Sequence, residues 1–479
     1  MMQGFSRARV HEGPLDEVTP EGLRRIWRWA VLIAVGGFLF GFDTGVISGA
    51  LLFIRTDFSL NSFEQGSVVS ILVLGAMIGA LLSGRLADRI GRRRALGAEG
   101  LVFLAGTAVA ALSTGLPMLL GGRLILGLAV GAASATVPVY LSEIAPPAIR
   151  GSLLTLNQLL ITVGILVAYM VNVAFAGPGD WRAMIACGAV PALVMVAAAL
   201  WWLPESPAWL LAAGGRRGRA RARRLIASVT DEDTADRLIE RRLAAARKQA
   251  RDGGGRPGWR TLLSARVRPA LTVGVVLAAV QQFGGINTII YYAPTIIERT
   301  GLSAANSIYY SIAIGVINLL MTVVAIRLIE RAGRRALLLF SLGAMTVTMV
   351  LLGLAFVAGW PSGPSLVFMV LYIAGFAVGM GPVFWAIIGE IFPGPARATG
   401  SGASTAVNWA SNFVVSLVFL PVAKALGEGE TFWIFAAISL AGLLFTARFV
   451  PETRGREFAE VDADLLRRFG RRRDGAVPG

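Results

Sequence analysis

Twelve stretches of about 20 residues hold little but apolar side chains, Gly, Ser and Thr, and about 20 helical residues are what a ~30 Å hydrocarbon core requires. They fall at roughly 29–52, 67–86, 95–113, 118–141, 152–175, 182–203, 268–292, 305–327, 336–358, 364–389, 400–423 and 431–449. Hydrophobic residues are 55% of the 479 and charged ones 15%, so lipid rather than water is the solvent for most of the surface. The expected fold is an all-α membrane protein, because a helix satisfies its own backbone polar groups where water is absent.

The chain is also duplicated. Glu143-Ile-Ala-Pro-Pro-Ala-Ile-Arg150 returns 247 residues later as Glu390-Ile-Phe-Pro-Gly-Pro-Ala-Arg397, and Pro204-Glu205-Ser206 returns at the same offset as Pro451-Glu452-Thr453. More loosely, Asp88-Arg89-Ile90-Gly91-Arg92-Arg93 returns as Glu330-Arg331-Ala332-Gly333-Arg334-Arg335. An even number of spans separates the copies, so both run the same way through the bilayer as parallel repeats. The expected organisation is a tail at 1–28, six-helix halves at 29–203 and 268–449 joined by a linker at 204–267, and a second tail at 450–479.

Arginines set the orientation. They crowd ahead of the first span (Arg24, Arg25, Arg28), between the second and third (Arg85 to Arg94), in the linker (Arg216 to Arg268), at Arg327 to Arg335 and in the tail after 448, always on one side. Lys and Arg accumulate in cytoplasmic loops, so both termini are expected in the cytoplasm. The alternate loops hold scattered cations such as Arg55, Arg299 and Lys424. The net charge of +16 is thus mainly a topology signal that also favours anionic lipid; it does not call for a nucleic-acid partner. The first 28 residues have no cleavable-signal pattern, and the single cysteine, Cys187, and single histidine, His11, leave no internal disulfide and no histidine within a span. No cofactor, metal-ligand cluster or nucleophile/base arrangement is legible, which argues against an enzyme. In the linker, Ser206-Pro207 reads as a helix start and Asp231-Glu232-Asp233 as the acidic start of a helix from about 232 to 250, ended by Gly253-Gly254-Gly255. A short amphipathic helix is expected at about 458–469.

Small residues and buried amides locate the working parts. Gly37, Gly41, Gly45 and Gly49 recur every fourth residue, and Gly75/Gly79, Gly127/Gly131 and Gly375/Gly379 repeat the spacing that allows backbones to approach closely. Gly284-Gly285 interrupts span seven and Gly379-Met380-Gly381-Pro382 span ten, and interrupted helices are where transporters bind and move. Gln158, Gln281, Gln282, Asn287, Tyr291, Asn318, Asn408, Trp409 and Asn412 place polar groups at depth, where each either bonds a neighbouring helix or faces a cavity. On an unbroken helix Gln281 and Asn287 would diverge by roughly 120°. A bend at Gly284-Gly285 brings them together. Amides donate and accept as sugar hydroxyls do, and Trp385 offers an apolar face, so a neutral polyhydroxylated ligand explains the set jointly.

Asp43 lies about 14 residues, near 21 Å, into span one, and Arg123 some six residues, about 9 Å, from the opposite end of span four. In a ~30 Å core those depths nearly coincide, and a buried Asp and Arg at one level should pair. Such a pair is either a static brace or a proton-controlled switch; Glu99, Glu143 and Glu390 lie nearer the arginine-rich ends.

These motifs carry a family resemblance. Ile125-x-Gly127-Leu128-x-x-Gly131, Tyr140-x-x-Glu143 with Arg150, Pro204-Glu205-Ser206-Pro207, Gln281-Gln282-Phe283-Gly284-Gly285-Ile286-Asn287 and Pro451-Glu452-Thr453-Arg454-Gly455 resemble the sugar porter family of the major facilitator superfamily over nearly all the chain. The resemblance implies the major facilitator fold, with 12 transmembrane helices in two six-helix parallel repeats, and alternating access to a central monosaccharide site. It implies sugar contacts at Gln158, Gln281, Gln282, Asn287, Asn318, Trp385, Asn408 and Trp409, with Phe40 and Tyr291 as wall or gate residues. Asn408 is similar to the animal glucose facilitators and Asp43 to the bacterial proton symporters. The second copy of the arginine motif departs in having Ile326 for Gly and Glu330 for Asp. The expected protein is a proton-coupled importer of a hexose or pentose in a bacterial plasma membrane, functional as a monomer, with Asp43 and Arg123 coupling protons to sugar. Asp88, Arg92, Glu143, Arg150, Glu330, Arg334, Glu390 and Arg397 form its expected cytoplasmic gate, with Glu143, Arg150, Glu390 and Arg397 pairing across the halves in the outward-open state. A proton-independent facilitator, an inositol or polyol symporter and a sugar sensor are the alternatives.

Overall fold

The computed structural model describes residues 18–146, 149–213, 215–251, 262–393, 396–456 and 458–470. Among them, twelve helices are long and apolar enough to cross a membrane. The first five spans are α1 (Pro20–Asp57), α2 (Ser62–Ile90), α3 (Arg92–Ala111), α4 (Leu116–Ile144) and α5 (Arg150–Ala176). The sixth is α6 (Trp181–Ala186) and α7 (Ala189–Ala197), closed by a π turn at Ala198–Trp202. Three linker helices follow: α8 (Pro207–Ala213), α9 (Gly215–Ala227) and α10 (Glu232–Arg251). Span seven is broken into α11 (Arg268–Phe283) and α12 (Ile286–Glu298); α13 (Ala304–Ala332) and α14 (Arg334–Val357) are spans eight and nine. Span ten is broken into α15 (Ser362–Val378) and α16 (Met380–Glu390), and α17 (Arg397–Leu426), α18 (Glu428–Phe449) and the short α19 (Phe458–Arg468) complete the chain.

Helix ends follow polar chemistry rather than hydropathy. α1 begins at Pro20, well before the apolar run at 29, because the Thr19 hydroxyl accepts the Gly22 N–H at 3.0 Å and caps a turn whose arginines lie outside the apolar length. In the linker, Ser206 Oγ accepts the Trp209 N–H at 3.1 Å and Asp231 accepts the Thr234 N–H at 2.8 Å, so both expected helix starts form. That backbone bond holds the exposed Asp231 carboxyl below the usual carboxylate range. Hydropathy gave no sign of α9. Gly253-Gly254-Gly255 and His11 lie outside the described residues.

The chain divides into two compact units. One lies within Arg9–Ala50 and Ile71–Gly255 and is called here the N unit; the other lies within Leu51–Ser70 and Arg256–Gly479 and is the C unit. Residues 51–70, at the end of α1 and start of α2, thus belong with the second half of the sequence. In the C unit a Cβ on Gly66 would lie 2.4 Å from the Leu417 carbonyl, and Arg55 pairs with Glu298 at 2.6 Å.

Glycine spacing does its expected work inside the N unit. A Cβ on Gly41 would lie 1.9 Å from the Ile161 carbonyl of α5, and one on Gly45 would lie 2.8 Å from that of Ile165. Asn172 of α5 donates to the Gly45 carbonyl at 3.0 Å. α2 and α4 interlock reciprocally: Gly75 and Gly79 face the Leu124 and Leu128 carbonyls, while Gly127 and Gly131 face those of Leu72 and Ala76. Backbones in such contact leave no room for a side chain, and close packing is what drives helices together in lipid. Gly41→Val should therefore push α1 off α5 and cost about 3 kcal/mol or more; a fall in the melting temperature of the detergent-purified protein checks it, and an unchanged value would mean the contact is not tight.

Candidate substrate and coupling sites

In the C unit, the break in span seven creates the amide cluster. Gly285 has φ 99°, a conformation that favours glycine, and α11 stops at Phe283 before α12 restarts at Ile286. Across the break Asn287 Nδ2 donates to Gln282 Oε1 at 2.7 Å, a contact that an unbroken helix would not allow. Gln282 Nε2 donates to Asn408 Oδ1 at 3.0 Å, and Asn408 Nδ2 returns to Gln281 Oε1 at 2.7 Å. Gln281 Nε2 donates to the Met380 carbonyl at 3.0 Å, which ties the break in span seven to the break in span ten. Backbone groups at the breaks are satisfied too: Tyr372 OH donates to the Gly284 carbonyl at 2.8 Å, and the Met380 N–H donates to Ser341 Oγ at 3.0 Å. Tyr372 and Ser341 were not singled out from the sequence, since which helix face reaches the break depends on tertiary packing.

The four amides Gln281, Gln282, Asn287 and Asn408 are thus one network, with Gln281, Gln282 and Asn408 buried and Asn287 half-buried. Tyr291, Asn318 and Trp409 are buried in the same unit. Trp385 is 45% exposed and makes a T-shaped contact with Phe384, the ring centroids 4.9 Å apart. Asn412 accepts from Ser416 at 3.1 Å, an ordinary bond within α17. Gln158, exposed on α5, and Phe40, half-buried on α1, belong to the N unit.

Also in the N unit, Asp43 and Arg123 form the pair that depth predicts. Arg123 Nη1 donates to Asp43 Oδ1 at 2.9 Å and Oδ2 at 3.1 Å, with the residues 1% and 3% exposed. α1 is placed by its glycine contacts with α5, and α4 by its interlock with α2. Carboxylate and guanidinium therefore meet at a fixed level.

The duplicated motifs build the same corner twice. Gly91 (φ 95°) and Gly333 (φ 90°) make the tight α2–α3 and α13–α14 turns. Glu205 then accepts the Arg92 and Arg93 N–H groups at 2.8 and 3.2 Å, and Glu452 accepts those of Arg334 and Arg335 at 2.9 and 3.1 Å. Arg92 donates to Glu143 at 2.9 Å and pairs with Asp88 at 3.0 Å; Arg334 donates to Glu390 at 3.2 Å. Each of these carboxylates is held by an arginine of its own unit. The reason is local: the glycine turn aims the first arginine of α3 or α14 straight at the end of α4 or α16. Arg150 Nε is buried without an acceptor among the described residues, Arg397 Nε donates to the Phe392 carbonyl at 3.5 Å, and the Glu330 side chain lies outside the described set. Glu205 and Glu452 were visible in the sequence as a repeat but not as helix caps.

The family pattern described as "Sugar (and other) transporter" matches residues 29–465. The chain belongs to that family. This sugar transporter is 41% identical over 446 residues to the glucose transporter GlcP of Staphylococcus epidermidis, covering 92% of this chain and 98% of that protein. It is 37% identical over 444 residues to the galactose-proton symporter of Escherichia coli, covering 91% and 93%. Among solved structures it is similar to the partially occluded inward-open xylose transporter XylE from E. coli, with a TM-score of 0.79, 30% identity, and coverage of 91% of this chain and 100% of that one. The sugar transporter is therefore a multi-pass membrane protein with the major facilitator fold and not an enzyme.

Removing a duplicated cap tests the corner. Glu205→Ala leaves the Arg92, Arg93 and Ser206 N–H groups without their acceptor and should cost about 2 kcal/mol, with Glu452→Ala costing a similar amount in the other unit. Thermal unfolding of the two variants reads it, and a parental melting temperature in both would show that water replaces the caps freely.

Proposed function

We propose that the protein imports a monosaccharide, a hexose or pentose, across a bacterial plasma membrane by alternating access, and that an inward proton gradient drives it. The arginine-rich helix ends, and with them both termini, face the cytoplasm in this reading. The observation that carries it is the coexistence of a neutral amide network with a buried Asp43–Arg123 pair. Gln281, Gln282, Asn287 and Asn408 together offer donors and acceptors of the kind a ring of hydroxyls requires, and the part-exposed indole of Trp385 suits the apolar side of a sugar ring. Asn318, Tyr291 and Trp409 complete the sugar-contacting set in the C unit.

Support from relatives is consistent in class and diverse in substrate. One is a glucose transporter, one a D-xylose transporter, and others are galactose-proton and arabinose-proton symporters. Amides recognise hydroxyls in general, so the particular sugar depends on placement finer than residue identity. The Asp88, Arg92 and Glu143 set, with Glu330, Arg334 and Glu390 in the second copy and Arg150 and Arg397 beside them, is the cytoplasmic gate in this reading. Lipid surrounds a working monomer.

If the amides hold the sugar, Gln282→Ala, Asn287→Ala and Asn408→Ala should each weaken binding by about 1–3 kcal/mol, since a hydroxyl loses its partner. Calorimetric titration of the purified variants measures this. Unchanged affinity in all three would move the site elsewhere.

Asp43 carries the coupling. Breaking its pair with Arg123 changes the surroundings of the carboxyl, so its proton affinity differs between conformers, and that difference links proton to sugar. Asp43→Asn mimics the protonated residue. In proteoliposomes given a panel of sugars with and without a pH gradient, the parent should accumulate its sugar uphill only with the gradient, while Asp43→Asn should exchange sugar but accumulate none. Uphill accumulation by Asp43→Asn, or gradient-independent behaviour of the parent, would make the protein a facilitator.

A further inference from the structure

Glu99 lies on α3 seven residues, about 10 Å, beyond Arg92, and is 3% exposed. One carboxyl oxygen accepts the Thr136 hydroxyl of α4 at 2.5 Å; the other is buried without a partner among the described residues. The flanking positions Gly97 and Gly100 face Ala199, Met195 and Val196, an apolar wall.

Charged and titratable groups on the helices around it are committed elsewhere. Tyr140, one turn along α4, donates to the Pro204 carbonyl, and Arg93 of α3 donates to the carbonyls of Ala199 and Leu200. Arg92 holds Glu143, Arg123 holds Asp43, and Arg182 of α6 donates to the Ser113 carbonyl beyond the opposite end of α3. Between α6 and α7 the half-buried Cys187 is a free thiol. A carboxylate cut off from water and lacking a cation is costly, whereas a carboxylic acid in the same place is tolerable.

A second observation bears on the cover over this group. α4 carries Pro138 inside its helix, two residues past Thr136, and a proline removes a backbone donor and leaves the helix bendable in that turn. The hydrogen bond that closes over Glu99 therefore sits on the segment of α4 best able to move.

We propose that Glu99 is a second proton-carrying carboxyl of the transport cycle, holding its proton while α4 covers it and releasing that proton to water when α4 bends at Pro138. On release the carboxyl O–H bond breaks, the proton passes to entering water, and a hydrated carboxylate remains; reclosure reverses the step. Glu99 is distinct from the coupling pair. Its carboxyl bonds Thr136, whereas Asp43 bonds Arg123. The inference rests on the proton-coupled reading and adds a residue to it.

Infrared difference spectroscopy of the purified protein tests it, using D-glucose, D-galactose or D-xylose, whichever the uptake panel shows to be carried. Adding that sugar should change a carboxylic-acid C=O band in the parent; the change should be absent in Glu99→Gln and displaced in frequency in Thr136→Val, which keeps the carboxyl and removes its one partner. In proteoliposomes, both variants should shift the pH profile of uphill uptake, which a brace that never releases its proton would not do. A parental band unaffected by Glu99→Gln, or parental pH profiles in both variants, overturns the proposal. Failure of the symport reading is distinguishable, because then the parent itself shows no gradient-driven uptake and Asp43→Asn matches it.

Discussion

A guanidinium and a carboxylate with almost no exposure, 2.9 Å apart between α1 and α4, set the terms for the N unit. Burying two charges costs more in lost hydration than a well-packed apolar pair would, so the Asp43–Arg123 bridge is weak evidence for stability. Removing either partner leaves a naked charge at depth, and only geometry that keeps both at one level makes the arrangement tolerable. The glycine contacts provide that geometry. α1 is pressed onto α5 at Gly41 and Gly45 and α4 onto α2 at Gly127 and Gly131, so neither carrier can slide along its axis without driving a carbonyl into a backbone.

The C unit solves the opposite problem. Where α11 gives way to α12 and α15 to α16, backbone groups are released that lipid cannot satisfy. Tyr372 takes the Gly284 carbonyl, Ser341 takes the Met380 N–H, and Gln281 takes the Met380 carbonyl. The breaks are consequently bonded to each other and to the amide network. A ligand that competes for Gln281 acts on the junction of two interrupted spans, which gives binding a direct route to helix movement.

Much of this was legible because lipid imposes strong rules on sequence. Twelve apolar lengths, the repeat, the glycine spacing and the matching depths of Asp43 and Arg123 are all one-dimensional signals. Helical angle plus a glycine break pointed to a meeting of Asn287 with Gln281, whereas Asn287 bonds the neighbouring Gln282. What escaped depends on tertiary proximity. Glu205 and Glu452 cap helices more than a hundred positions away in sequence, Glu143 and Glu390 are claimed by their own units, and the π turn in span six has no hydropathy signature. Arg55 and Arg299 read as stray cations in loops, yet each has a carboxylate, Glu298 and Glu428 respectively, which is visible only once the ends of α1, α12 and α18 are placed.

The division of labour between the units constrains how coupling can work. The Asp43–Arg123 pair belongs to the N unit and the amide network to the C unit, and amides do not titrate in the physiological range. A proton therefore alters sugar transport through the balance of conformers, by no more than its difference in affinity between them. One pH unit corresponds to about 1.4 kcal/mol, and 100 mV across the membrane adds about 2.3 kcal/mol per charge moved. One proton per sugar at such a gradient supports roughly tenfold accumulation from pH alone and several hundredfold with the potential. That yield is reached only if the uncoupled return of a protonated, sugar-free carrier is rare. A desolvated carboxyl that keeps its proton until a helix bends makes release of that proton conditional on the bend, because baring the charge in the covered site is costly.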